Sequence, residues 1–161
     1  MTKKAHTLIE LVVAIAIAGI IASIFSLVIN AGMDSWFFIK GQKSLLMETR
    51  AAMKRMVRDI RRTKDNTDSV ILNFTSTRYR FIDVDDNTID YQRDGNDLEV
   101  NGNVLLPDLA VVGGLEFVYL DASGAIAGFA EDIRVVQITL IVEEGTSRIK
   151  LRSAASLRNR Q

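Results

Sequence analysis

Hydrophobic and polar positions divide the chain into an apolar run, an amphipathic middle and a region of short alternating segments. From Leu11 to Ile29 no residue is charged, and only Ser23 and Ser26 are polar. These nineteen residues, at a helical rise of about 1.5 Å each, cover roughly 28 Å, close to the hydrocarbon thickness of a bilayer. The run therefore predicts a helix that spans a membrane once, at residues 6–30.

The helical period continues beyond this run. No proline occurs between Met1 and Leu106. We predict one helix from about Thr7 to about Thr63, apolar all round in its first half and amphipathic over residues 31–64. Its second half carries a stripe with intervals of three and four residues, made of Phe38, Gln42, Leu45, Thr49, Met53, Met56 and Ile60.

After Lys64 the period changes to two, which is typical of half-buried strands. Polar and apolar residues alternate in Arg78–Phe81 and Arg148–Arg152, and the branched residues of Val135–Val142 predict a central strand. We predict an α+β fold in which the long helix packs on the antiparallel β-sheet of a head, residues 65–161. Turns are indicated at Asp94-Gly95, Asn101-Gly102, Gly113-Gly114, Ser123-Gly124 and Glu144-Gly145.

Charge is balanced over the whole chain but segregated along it. Residues 1–33 sum to +1, residues 34–64 to +6 and residues 65–161 to −7. Lys3 and Lys4 precede the apolar run, which favours a cytoplasmic N-terminus and an extracytoplasmic head. A cleaved secretory signal ending near Ala31 is an alternative, but the run exceeds the usual signal core, and Glu10 is out of place between the lysines and that core.

Residues for catalysis are scarce. The chain has no cysteine, and His6 is its single histidine. A Ser/His/Asp triad or a histidine-rich metal site would therefore need a residue at the membrane edge. We expect a protein that is not an enzyme and has no cofactor, and the alternative is a membrane-anchored enzyme or receptor with the head as its active part.

The stretch AHTLIEL at residues 5–11 resembles the prepilin processing site of type IV pilins and type II secretion pseudopilins, usually Gly-Phe-Thr-Leu-Ile-Glu after a short basic leader. Alanine stands here in place of the glycine, and histidine in place of the phenylalanine. The resemblance implies a leader of residues 1–5 with charges at Lys3 and Lys4. It also implies that a membrane peptidase cleaves between Ala5 and His6 and methylates the new amino terminus of His6.

The resemblance also implies a role for Glu10 in filament assembly. A charge in the middle of a bilayer costs about 2.5 to 3.5 kcal/mol, so a carboxylate retained near the end of a span indicates a function. In the family, the glutamate of one subunit meets the charged amino terminus of its neighbour, and the matching glycine, Gly19, lets the helix loosen. A capping box is the alternative, because Thr7 and Glu10 have its spacing.

Later segments, among them IRVVQITLIVEE and LRSAASLRNR, resemble strands of J-type minor pseudopilins and W-type minor pilins. The implied function is a structural subunit that initiates or caps a periplasmic pseudopilus, or alternatively a type IV minor pilin for adhesion, motility or DNA uptake. The implied partners are the membrane, other pilins or pseudopilins, the prepilin peptidase and the assembly platform of the bacterial inner membrane.

Two further clusters have weaker interpretations. Asp83, Asp85 and Asn87 resemble half of a calcium loop, but position six is Thr88 and position twelve is Asp94, which favours a plain acidic hairpin. Nucleic acid binding is not expected of a second, basic cluster because no aromatic residues are interleaved with it and the head is acidic. Acidic neighbouring subunits or solvent are the better partners of this cluster, made of Lys54, Arg55, Arg58, Arg61, Arg62 and Lys64.

Overall fold

A computed structural model describes residues 8–157. Within them, one helix, α1, runs over Leu8–Ile60 and is followed by antiparallel strands, so the α+β fold is confirmed. The strands are β1 Ile71–Phe74, β2 Arg78–Ile82, β3 Thr88–Asp94, β4 Asp97–Val100, β5 Asn103–Leu106, β6 Leu115–Leu120, β7 Val135–Glu144 and β8 Ser147–Ser156. A short 3-10 turn, Ala130–Asp132, precedes β7.

The chain forms two compact units, and α1 contributes to both. The first unit ends at Gln42, and the second, which we call the head, begins at Lys43. Phe38 and Gln42, which begin the predicted stripe, are exposed. The buried side of α1 lies entirely within the head and consists of Leu45, Thr49, Ala52, Met53, Met56 and Ile60.

The strands of the head form two antiparallel sheets, whereas the sequence analysis predicted one. Strands β1 to β5 follow one another in a five-stranded meander, and β6, β7 and β8 form a three-stranded sheet. The predicted central strand is confirmed, since β7 pairs with β6 on one side and with β8 on the other. Its side chains from Val136 to Val142 are buried except at Gln137, as a central strand requires.

Aromatic side chains join the two sheets in the core. The Tyr79 ring of β2 lies 6.0 Å from that of Phe117 and 5.5 Å from that of Tyr119, both in β6. The Tyr119 hydroxyl donates a hydrogen bond to the carbonyl oxygen of Thr75, 2.8 Å away. Because Phe117 also donates its backbone N–H to the Ser76 carbonyl at 2.8 Å, the sheets share polar as well as apolar contacts.

Helix α1 ends at Ile60, three residues before the predicted end at Thr63. The backbone N–H of Thr63 bonds to the Ile60 carbonyl at 3.1 Å, and its hydroxyl donates to the same oxygen at 2.7 Å. Thr63 then bridges to Asp83, and Lys64 donates its N–H to the Ile82 carbonyl at 3.0 Å. The helix ends here because its last carbonyl groups are bonded within a tightened turn, and the residues that follow are bonded to the end of β2.

The predicted turns contain glycines with positive φ at Gly95, Gly102, Gly113, Gly124 and Gly145. Gly114 has a different reason to be glycine. A Cβ atom there would lie 2.4 Å from the Ala110 carbonyl oxygen and 2.9 Å from Leu109 Cβ. The Gly114 carbonyl also accepts the Ile141 N–H at 2.8 Å, so the loop before β6 is held close against β7.

All three tyrosines of the chain, Tyr79, Tyr91 and Tyr119, are buried in this core. Burial raises the pKa of each phenol above its ordinary value, because an ionised phenolate would lose its hydration. The Tyr91 hydroxyl also donates a hydrogen bond to the Asp59 carboxylate, 2.7 Å away, and this neighbouring negative charge raises the pKa of Tyr91 further.

We expect the folded head to keep its tyrosines protonated at pH 11. Unfolded tyrosines have a pKa of about 10, so about nine-tenths of them ionise at that pH. Because the folded-state pKa values are raised, stability is retained below pH 10 and is lost as the pH rises further. Absorbance of phenolate at 295 nm, with and without urea, measures this difference. Native protein that ionises all three phenols at pH 11 while its near-ultraviolet circular dichroism persists would contradict the buried positions.

Candidate functional site

The apolar part of α1 presents its side chains to the surroundings on every side. Every residue of this helix from Leu8 to Ser44 is exposed. Across the part of the chain that the structure describes, α1 is the one helix long and apolar enough to cross a membrane. Exposed apolar surface on this scale in water would drive association, so the segment requires a bilayer or neighbouring helices around it.

Glu10 lies in the first turn of α1 and is exposed. A carboxylate in the first turn interacts favourably with the positive end of the helix dipole. The helix begins at Leu8, so Glu10 has the position that either a capping role or an assembly role would need. The predicted leader charges Lys3 and Lys4, the cleavage residues Ala5 and His6, and the capping residue Thr7 lie outside the described residues.

Polar groups within the apolar segment are accommodated by the helix itself. The Ser23 hydroxyl donates a hydrogen bond to the Gly19 carbonyl oxygen, 2.8 Å away. This bond satisfies a hydroxyl that would otherwise be costly in hydrocarbon. Helix α1 continues without interruption through Gly19, and a side chain there would meet no atom within 4 Å.

Aromatic residues follow the uncharged run, and of these only Phe38 was part of a predicted feature, the stripe on the second half of α1. Trp36, Phe37 and Phe38 are exposed to 69%, 61% and 49%, and Ile39 to 63%. Tryptophan is enriched where membrane meets water, and exposed aromatic rings are favoured at contacts between proteins. The apolar surface that needs cover therefore extends past the nineteen residues counted from the sequence. The presence of Trp36 soon after an apolar run was the available signal.

The candidate calcium residues lie in the loop between β2 and β3, where the carboxylates of Asp83 and Asp85 already have partners. One Asp83 carboxylate oxygen accepts the backbone N–H groups of Asp85 and Asn87, each at 2.9 Å. The other oxygen lies 3.7 Å from an Arg62 guanidinium nitrogen, and Arg62 also pairs with Asp85. Among residues 8–157, no group of three or more histidine, cysteine, aspartate or glutamate side chains could hold a metal ion.

Different members of the basic cluster pair with different acidic side chains. Arg62 bonds to the β2–β3 loop as described, and Lys64 pairs with Asp86 in the same loop. Arg55 and Arg58 lie 3.7 Å and 3.2 Å from the carboxylate of Asp59, which also accepts the Tyr91 hydroxyl. The Asp59–Tyr91 hydrogen bond therefore joins the end of α1 to the five-stranded sheet, and Arg62 and Lys64 join the residues after α1 to the same sheet.

Comparison with known proteins identifies the N-terminal segment. Residues 1–26 match the family model described as the prokaryotic N-terminal methylation motif. No curated protein and no solved structure matches the chain. The match covers residues 1–5, Glu10 and most of the apolar run, and it is the signature of type IV pilins and pseudopilins.

We expect calcium to leave the stability of the head unchanged. At 5 mM calcium, a site of the extracellular kind, with a dissociation constant of about 0.1 to 1 mM, would stabilise by about 1 to 2 kcal/mol. The melting temperature would then rise by several degrees. Because amides, Arg62 and Lys64 already occupy the loop carboxylates, we predict a rise below about one degree.

Thermal unfolding of the detergent-solubilised chain with calcium, magnesium or chelator measures this effect. The matched variant is Asp85→Asn, which changes an exposed carboxylate of the loop. A calcium-specific rise of several degrees that disappears in this variant would show that the loop binds the ion after all.

Proposed function

We propose that this chain, which carries the N-terminal methylation signature of type IV pilins and pseudopilins, is a J-like minor pseudopilin of a type II secretion system. In this role it is a structural subunit that helps to initiate or cap a periplasmic pseudopilus. The single observation that carries the proposal is the signature at residues 1–26, set on a helix whose apolar surface is exposed.

The two halves of α1 support an assembly role. From Leu45 onward, one side of the helix is buried in the head, so this part of α1 is a fixed element of a folded domain. Before that, large apolar side chains are exposed as far as Ile39, beyond the length of one bilayer crossing. A subunit that moves from a membrane into a bundle of similar helices would exchange one apolar environment for another at little cost.

Glu10 would set the register of that bundle. Cleavage after Ala5 would expose a positively charged amine on His6, which the Glu10 carboxylate of an adjacent subunit can meet. In a medium of low dielectric constant such a pair is strongly directional, and a misplaced helix would leave both charges badly solvated. The pair therefore favours one axial position of each helix over its alternatives.

The topology of the proposal follows from charge and length. The lysines at positions 3 and 4 keep the leader in the cytoplasm, α1 crosses the inner membrane once, and the head lies in the periplasm. The partners are the prepilin peptidase, the assembly platform of the inner membrane, and other pilins or pseudopilins in one filament. No catalytic step is assigned to the head.

A minor pilin of a type IV pilus is the second candidate, because both classes share the same N-terminal signature. Deletion of the chain distinguishes them. A J-like pseudopilin is required for export of proteins through the outer membrane, whereas a minor pilin is required for surface pili and for the adhesion, motility or DNA uptake that they support.

We expect the mature chain to begin with methylated His6. The small side chain of Ala5 suits a narrow cleft, and the basic leader keeps the cut on the cytoplasmic side. Intact mass and N-terminal peptide analysis of membranes from cells with and without the peptidase measure processing. A chain that keeps Met1 in peptidase-positive cells, or that starts after Ala31, would favour a simple membrane anchor or a cleaved signal.

We also expect Glu10→Gln to insert and lose its leader normally but to enter filaments at least tenfold less. A factor of ten corresponds to about 1.4 kcal/mol, less than the cost of about 2.5 to 3.5 kcal/mol for a charge at the bilayer centre. Quantitative immunoblots of sheared filaments against membrane fractions provide the ratio.

The matched control is Glu48→Gln, which neutralises an exposed glutamate of the same helix outside the signature. It should enter filaments as the natural chain does. Equal incorporation of both variants would remove Glu10 from the assembly mechanism while leaving the processing result intact.

A further inference from the structure

A groove on the head lies between the last turns of α1 and strand β8. Its cavity has a volume of about 770 Å³. Three of its lining residues are apolar, namely Met53 and Val57 from α1 and Val84 from the β2–β3 loop. Met53 is buried and Val84 is 41% exposed, so the groove has an apolar base that opens to solvent. A concave surface that combines apolar and polar groups is typical of a binding site.

Four of the remaining lining residues are cations, and we call this cavity the basic groove. They are Lys54, Arg58, Arg61 and Arg62, and no acidic residue in the described part of the chain lines the cavity with them. Arg62 is paired with the β2–β3 loop, and Arg58 lies 3.2 Å from Asp59. Lys54 and Arg61 have no ion-pair partner within residues 8–157.

The spacing of these cations is unfavourable for an isolated helix. Lys54, Arg58 and Arg61 follow one another at intervals of four and three residues. The Arg61 N–H still bonds to the Val57 carbonyl as in a helix, so these three cations lie on the same side. Like charges at this spacing repel one another and destabilise a helix. A negatively charged occupant of the basic groove would relieve this repulsion.

Strand β8 forms the other wall through Ser153 and is the edge strand of its sheet. Its residues pair with β7 alone, with Ser153 opposite Ile138. On the far side of β7, Ile141 and Glu143 donate N–H groups to Gly114 and Asp108. Hydrogen bonding alternates along an antiparallel strand, so the even-numbered residues of β7 bond to the odd-numbered residues of β8.

The even-numbered residues of β8 therefore direct their backbone groups to the open edge beside the basic groove. Their side chains are exposed, and three of them, Arg148, Lys150 and Arg152, are basic. An extended peptide could pair with these backbone groups and add a strand to the sheet. Acidic side chains on such a peptide would face cations on both sides of the sheet.

We propose that the basic groove and the open edge of β8 bind an extended acidic segment of a different polypeptide. Apolar side chains of that segment would contact Met53 and Val57, and its carboxylates would pair with Lys54 and Arg61. This inference rests on the proposed function only where it identifies the partner as a neighbouring subunit. Binding of the peptide itself requires no filament.

A second copy of this chain is a poorer occupant than a different polypeptide. The other edge strands of the described sheets are β1, β5 and β6. The sequences of β1 and β5, ILNF and NVLL, contain no acidic residue, and β6, LEFVYL, contains one. Duplex DNA is also a poorer occupant, because residues 65–161 carry a net charge of −7, which repels its phosphates.

The test uses the full chain in a zwitterionic detergent and a fluorescent eight-residue peptide of alternating glutamate and valine. Fluorescence anisotropy at increasing salt measures its binding, and a peptide with lysine in place of glutamate is the control ligand. We expect saturable binding of the acidic peptide that weakens with salt, and at least tenfold weaker binding of the basic one.

Two pairs of variants locate the site. The double variant Lys54→Glu with Arg61→Glu should weaken acidic-peptide binding at least tenfold. Lys43→Glu with Arg50→Glu, the same charge change at exposed positions of the same helix, should weaken it less than twofold. Ala154→Pro, which removes one donor from the open edge, should weaken binding severalfold, whereas Ala154→Val, which keeps the donor, should not.

Several results would overturn the proposal. They are no binding of the acidic peptide up to 1 mM, equal losses in the two double variants, or tighter binding of a labelled duplex DNA than of the peptide. Dimers of the natural chain that vanish in the Lys54→Glu and Arg61→Glu variant would instead identify a second copy as the occupant. Each result stands apart from the processing of His6, so failure here and failure of the proposed function are distinguishable.

Discussion

The exposed apolar surface of α1 is the constraint on which the rest of this protein depends. A helix that is apolar all round can be stable only where water is excluded, and the chain has no segment among the described residues that covers Leu8 to Ile39. A membrane can supply that cover before assembly, and neighbouring helices can supply it afterwards. The signature at residues 1–26, which is that of type IV pilins and pseudopilins, agrees with both environments.

In the head, by contrast, one side of α1 is buried in a protein core. Leu45, Met56 and Ile60 lie in one core with strands from both sheets. Polar contacts make that packing specific, because Tyr91 and two arginines meet at Asp59, and Arg62 reaches the loop after β2. An apolar contact alone would allow the helix to slide by a turn, whereas a buried hydrogen bond to a carboxylate fixes its position.

Periodicity predicted the elements of this fold better than their arrangement. The uncharged run, the part of the predicted stripe from Leu45 to Ile60 and the central strand predicted at Val135–Val142 follow from local patterns of burial, which a sequence displays directly. The division into two sheets does not, because alternation states that a strand is half buried but not which strand lies beside it. The early end of α1 depended on Thr63 meeting Asp83, a contact between residues twenty positions apart.

The candidate sites show the same difference between local patterns, which the sequence displays, and contacts between distant residues, which it does not. The motif around Glu10 is contiguous, so it could be identified from seven letters. In the basic cluster, some cations form ion pairs and others line the basic groove. Which of them do so depends on a loop and on β8, far along the chain.

The burial of one side of α1 also sets an order of events during biosynthesis. Met56 leaves the ribosome long before β8, yet both belong to the structure of one head. Contacts between segments so distant in the chain form slowly, because a long loop must close first. The core side of the newly made helix therefore stays uncovered until strands of the head have been translated, and protection from premature aggregation is a requirement of this topology.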